Sequence, residues 1–161
     1  MGFVQADLRQ GDLDEPSVVR LLYALDKEIR ARYDEPVEDF VLNLDPEEVA
    51  PGSGAFVVAW ADEEAIGCGA VRLIDAETAE LKRMYIVPEY RRQGVAGAML
   101  RSLEDHARAL GATRVVLETV INPPAAVALY RAAGYEEIPT FGPYVESEIS
   151  FCMGKSFEFP K

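Results

Sequence analysis

Apolar residues recur at helical spacing from Pro16 onward. Val18, Leu21, Leu22, Leu25 and Ile29 form one stripe, which predicts a helix over about 16–33 with Pro16 in its first turn. Before it, GFVQADL (2–8) reads as a short strand; after it, PVEDFVLNL (36–44) reads as a short helix ended by the breaker PGSG (51–54). Three extended runs follow, AFVVAWA (55–61), IGCGAVRLI (66–74) and AELKRMYIV (79–87). Their links, DEEA and DAET, are short enough for an antiparallel meander. A second helix is predicted over 93–110, with Ala96, Met99, Leu100, Leu103, Ala107 and Leu110 on one face and Gly111 as its stop. TRVVLETVI (113–121) is a strand, PAAVALYRAAG (124–134) a short helix, and YEEIP and EISFCMGKSF (148–157) complete a sheet.

The predicted order is therefore β-α-α-β-β-β-α-β-α-β-β. Residues 79–121 form a β-α-β unit, which demands a right-handed parallel crossover. The rest of the sheet is expected to be antiparallel. The fold class is α/β (α+β): a mixed, mostly antiparallel sheet with a central parallel crossover and helices on both faces. With 161 residues, no repeat and no linker, one domain over 1–161 is expected.

Charge and cysteine content narrow the partners. A net charge of -12 argues against nucleic acid, whose phosphates need a basic face, and suits a cationic or neutral partner. No apolar run approaches a membrane span, and MGFVQADL lacks a signal or lipidation pattern, so no membrane partner and a cytoplasmic location are expected. Cys68 and Cys152 lie in strand-like runs without metal-ligand spacing and are expected to be buried, inert thiols; no metal is expected.

The candidate chemistry lies where a strand meets a helix. In YIVPEYRRQGVAGAML, Arg91, Arg92, Gln93, Gly94, Val95, Ala96 and Gly97 place small residues and positive charge at a helix start. Unpaired N–H groups and the positive end of the helix dipole can hold a phosphate there; a tight turn that needs glycine is the plainer alternative. Other phosphate motifs fail. MGKS (153–156) has Ile149 where a P-loop needs glycine, and GCGAVR (67–72) lacks the third glycine of a dinucleotide fingerprint.

ELKRMYIVPEYRRQGVAGAML resembles the acetyl-CoA-binding motif of the GNAT superfamily of N-acetyltransferases, whose signature Arg/Gln-x-x-Gly-x-Gly/Ala is matched by Arg91, Gly94 and Ala96. ETVINPPAAVALYRAAGY (118–135) is similar to the family's second motif, and together the resemblance covers about 54–158. It implies acetyl-CoA as cosubstrate and a strand at 79–87 splayed from the strand at 113–121. The pantetheine arm would pair with backbone at Met84, Tyr85 and Ile86, and the pyrophosphate would meet the N–H groups from Arg92 to Gly97. Asn122 either caps the following helix or contacts the cofactor arm.

The resemblance also implies roles at the reacting centre. An alkyl amine of pKa near ~10.4 is mostly protonated at neutral pH, so a base helps. Glu80, fourteen residues before Gly94, occupies the family's frequent glutamate position; otherwise it is a solvated strand-end carboxylate. Alternation would place Glu80, Lys82, Met84 and Ile86 on one strand face. Tyr130 takes the position of a tyrosine facing the cofactor sulfur, where it could protonate the departing thiolate; otherwise it is a core aromatic. The N–H near Ile86 would bind the oxyanion. Glu104 and Arg108 read as a solvated i,i+4 pair.

The acceptor side is least defined. Tyr33 and Tyr144 are candidate acceptor contacts, and Lys82 or Arg83 could bind an acceptor carboxylate. The expected partner is a small-molecule amine, with a homodimer left open. The alternatives are acetylation of a peptide or protein amine, and a non-catalytic acetyl-CoA sensor.

Overall fold

A computed structural model describes residues 5–32, 44–120 and 124–157. Seven strands form one mixed sheet: β1 (Asp7–Gln10), β2 (Gly54–Ala61), β3 (Glu64–Leu73), β4 (Thr78–Ile86), β5 (Arg114–Val120), β6 (Glu136–Ile138) and β7 (Ser150–Ser156). Their spatial order is β1-β2-β3-β4-β5-β7-β6. Only β4 and β5 pair in parallel; every other neighbouring pair is antiparallel. The helices are α1 (Pro16–Arg32), α2 (Val95–Ala109) and α3 (Pro124–Ala132).

The central strands are apolar on successive positions because both sheet faces are covered. On one face, Val18, Leu21, Leu22 and Leu25 of α1 pack on Phe56, Val58, Cys68, Ala70 and Tyr85. On the other, Met99, Leu100 and Leu103 of α2 and Val127 and Tyr130 of α3 pack on Val57, Val71, Leu81 and Leu117. The helical stripes of the sequence thus seat α1 on one side and α2 with α3 on the other. Cys68 and Cys152 are buried free thiols on strands that are not neighbours.

Three expectations change. The first strand falls at Asp7–Gln10, later than 2–8, and its residues are mostly exposed. Backbone pairing with β2 places it, Asp7 opposite Trp60 and Gln10 opposite Val57, so apolar content is a poor guide to its position. Leu110 leaves α2 to become its C-cap before Gly111, whose φ of +95° ends the helix. Glu104 is no solvated partner of Arg108. It is 4% exposed, accepts the Tyr135 hydroxyl at 2.7 Å and pairs with Lys155 at 3.2 Å, while Arg108 bonds Asp105. Tertiary partners at Tyr135 and Lys155 outweigh the local i,i+4 spacing. The helix expected at 36–44 lies, apart from Leu44, outside the described residues.

Candidate functional site

The site is built where two strands part. β4 and β5 pair from Thr78–Arg114 to Leu81–Leu117 and no further. β5 stays paired with β7 as far as Val120–Ser150, so the later half of β4 has strand partners only on its β3 side.

β4 also carries a bulge. Its register with β3 shifts between Cys68 and Ala70, so that Arg83 and Met84 together oppose Gly69. Arg83 takes φ +59°, a left-handed conformation that costs an L-residue about 1–2 kcal/mol. Gly69 permits the close approach, since a methyl group there would lie 2.7 Å from Leu103 Cδ1 and 2.9 Å from Met84 Sδ.

The bulge overturns simple alternation. Ala79 and Leu81, then Met84 and Ile86, pack on the α2 side, whereas Tyr85 and Val87 join the α1 side. Glu80 and Lys82 therefore do not share a face with Met84 and Ile86, as sequence alternation predicts. The extra residue at the bulge swaps the two faces.

Glu80 is 2% exposed and fully engaged. Its Oε1 accepts from Arg72 Nε and Nη2 at 3.1 Å, and its Oε2 accepts the Tyr144 hydroxyl at 3.0 Å. Arg72 reaches on to Glu48 at 2.8 Å. Burial, reinforced by the Glu80 charge, pushes the Tyr144 hydroxyl well above its ordinary pKa. Nearby, Glu118 accepts Ser150 Oγ at 2.7 Å, and burial raises its carboxyl pKa. Arg72, Glu48 and Glu118 are members of this cluster that sequence reasoning missed. The available signal for Glu118 was an acidic residue interrupting the apolar run RVVLETV.

Lys82 and Arg83 are half-buried at the point where β4 leaves β5. Burial lowers the pKa of both; the charges of Glu80 and Glu48 partly offset this for Lys82, and Asp26 does so for Arg83. Tyr33 and Asn122 lie outside the described residues.

The end of β4 faces the gap. Val87 N–H bonds Ile66 C=O at 2.8 Å, so the polar groups of Ile86 point away from β3. Ile86 C=O is taken by Arg91 Nε at 2.8 Å. Arg91 also pairs with Glu28 of α1 at 2.9 Å and lies 5.5 Å from the Tyr85 ring centre. Its guanidinium thus braces β4 against α1. The neighbouring Arg92 is exposed, and the Gln93 side chain bonds Glu89 C=O.

The chain then turns with Arg92 at φ +64° and Gly94 at φ +85°. Ala98 N–H bonds Gly94 C=O at 3.1 Å, so the N–H groups of Val95, Ala96 and Gly97 precede the first intrahelical bond. These donors, beside positive backbone turns and small side chains, can hold an anionic group. The residues fit acetyl-CoA: a β4 edge with no neighbouring strand beyond Leu81 leads to helix N–H groups for its phosphates.

Across the sheet, Tyr130 of α3 is 7% exposed and stands edge-on to Tyr135 at 5.7 Å. Burial pushes its hydroxyl pKa up to about 12, so it stays protonated at neutral pH. Among the described residues no helix is long and apolar enough to cross a membrane, and no group of three or more His, Cys, Asp or Glu could hold a metal.

Residues 19–135 match the Acetyltransferase (GNAT) family. The IAA acetyltransferase of Azospirillum brasilense is 35% identical over 143 residues, covering 88% of this chain and 91% of the relative. A crystal structure described as an acyl-CoA N-acyltransferase, from Klebsiella pneumoniae, superposes with a TM-score of 0.81 at 28% identity, covering 95% and 98% of the two chains. The PaiA N-acetyltransferase of Thermoplasma acidophilum, solved with coenzyme A, shares the fold with a TM-score of 0.75 at 19% identity over 95% and 99%.

Proposed function

Because the chain belongs to the GNAT family of acetyl-CoA-dependent acetyltransferases, we propose that it transfers the acetyl group to a primary amine of a small molecule, by direct attack in a ternary complex. The observation that carries this reading is the end of β4–β5 pairing at Leu81–Leu117, between the buried carboxylate of Glu80 and the open N-terminus of α2.

In this reading the pantetheine arm lies along the open edge of β4 from Met84 to Ile86, past Tyr85, an edge-strand interaction made with a cosubstrate. The pyrophosphate rests on N–H groups between Arg92 and Gly97. Asn122 is a further contact to the arm. The outward N–H of Ile86 is the donor for charge developing on the thioester oxygen.

Glu80 is the base. The amine nitrogen attacks the thioester carbon, the C–S bond breaks, and the ammonium proton passes to Glu80 directly or through water. Arg72 holds Oε1, which makes Oε2, now bonded to Tyr144, the accepting oxygen. Tyr130, which is protonated at neutral pH, gives its proton to the departing thiolate.

The test is release of CoA from acetyl-CoA with a panel of amines, amino acids, polyamines and peptides. Turnover with the small amines supports the reading. Turnover only with peptides would favour a protein acetyltransferase, and tight acetyl-CoA binding with no turnover a sensor.

A further inference from the structure

Resting on that acyl-transfer reading, we propose that Lys82 and Arg83 form the receptor for a carboxylate on the acceptor, so that the acceptor is an amino carboxylate and not a simple amine or polyamine.

The argument starts at the bulge. In a regular strand consecutive side chains point to opposite faces, and Arg83 would follow Leu81 toward the apolar side of α2. The insertion opposite Gly69 and the φ of +59° at Arg83 prevent this. The Arg83 carbonyl accepts from Cys68 Sγ at 3.5 Å, and the carboxylate charge of Asp26 on α1 acts on its guanidinium. Those groups lie on the α1 side of the sheet, with Glu80 and Lys82. Two successive basic residues therefore share the face that carries the base. Backbone strain at a position without glycine accompanies that arrangement, as is common where a side chain must be aimed for function.

Position fits the same reading. Lys82 is the first residue of β4 beyond its last pair with β5. It follows Glu80 by two strand positions, about 7 Å of chain. A small acceptor can then present its amine to Glu80 and its carboxylate to Lys82 and Arg83. The guanidinium offers paired donors in the geometry of a carboxylate, and the ammonium adds a point charge.

Matched acceptors test the inference: several amino acids, each beside its decarboxylated amine and its carboxamide. For wild-type protein, kcat/KM for the carboxylate member should exceed that of its decarboxylated partner about tenfold or more, the scale of one charge-assisted hydrogen bond. Lys82→Gln and Arg83→Asn should collapse that ratio, chiefly by raising KM for the carboxylate member. Asparagine tolerates the left-handed backbone, and a thermal melt with an acetyl-CoA titration checks that each variant is folded. A decarboxylated amine used as well as its amino acid, or a preference that survives in the double variant, overturns the inference and leaves acetyl transfer standing. Absence of turnover with every member, acetyl-CoA being bound, overturns the parent reading and this one with it.

Discussion

The Tyr144 hydroxyl donates to Glu80 Oε2 at 3.0 Å, joining residues sixty-four positions apart. The contact closes the turn between β6 and β7 over the first half of β4. It also means that Glu80, held on its other oxygen by Arg72, meets an incoming amine only after the phenol yields. The base of the proposed reaction is positioned by three segments, β3, β4 and the Gly142–Tyr144 turn.

Glu80→Gln is expected to lower kcat/KM about 10²–10⁴-fold, the range for a lost general base. Acetyl-CoA affinity should hold, because the proposed cofactor contacts lie on the β4 edge and the start of α2. Steady-state kinetics beside calorimetric titration of acetyl-CoA checks this. A variant with wild-type kcat/KM would remove Glu80 from the mechanism.

Tyr130→Phe should lower kcat about 10–10³-fold with little change in cofactor binding. A proton donor is lost as pH rises through its pKa, and burial places that of Tyr130 at about 12. The wild-type pH–kcat profile should therefore show no descending limb from this residue below about pH 11. Such a limb near pH 8–9 that vanishes in the phenylalanine variant would contradict the assignment.

Gly94→Glu should abolish acetyl-CoA binding. It places a carboxylate beside the N–H groups proposed for the pyrophosphate and forces a side chain onto a backbone at φ +85°. Gly94→Ala separates the two effects, carrying the backbone strain without the charge. Binding by the glutamate variant at wild-type affinity would mean that the phosphates lie elsewhere.

Glu104→Ala should destabilise the fold by about 3 kcal/mol, because it strands the buried Tyr135 hydroxyl and removes the partner of Lys155. In a chain of this size that is a drop of roughly 6–12 °C in Tm, read by calorimetry. A solvated surface carboxylate would cost less than about 0.5 kcal/mol.

Cys68 is fully buried, and burial pushes its thiol up to about 12; the same cause raises Cys152. Both should resist a thiol reagent at pH 8 in folded protein and react once it is unfolded in urea. Rapid stoichiometric labelling of folded protein would contradict this burial.

Much of the architecture is legible along the chain because periodicity records which face of an element is buried. Val18, Leu21, Leu22 and Leu25 set the inner stripe of α1, and Met99, Leu100 and Leu103 that of α2. The meander from β2 to β4 follows from its short links. The small residues from Gly94 to Gly97 mark a helix start open to an anion, since the lack of bulk there is a local property.

Tertiary structure decided what depends on partners distant in the chain. The swap of faces along β4 arises from its register against Gly69, so alternation puts Met84 and Ile86 on the wrong side. The engagement of Glu80 by Arg72 and Tyr144, the burial of Glu104 under Tyr135 and the turning of Arg91 toward Glu28 are likewise pairings across the fold. By itself the sequence determined the element order and the open helix start, because these rest on local spacing. Which charged side chains meet around Glu80 was decided only when β3, β4 and the Tyr144 turn came together, because such contacts depend on three-dimensional register.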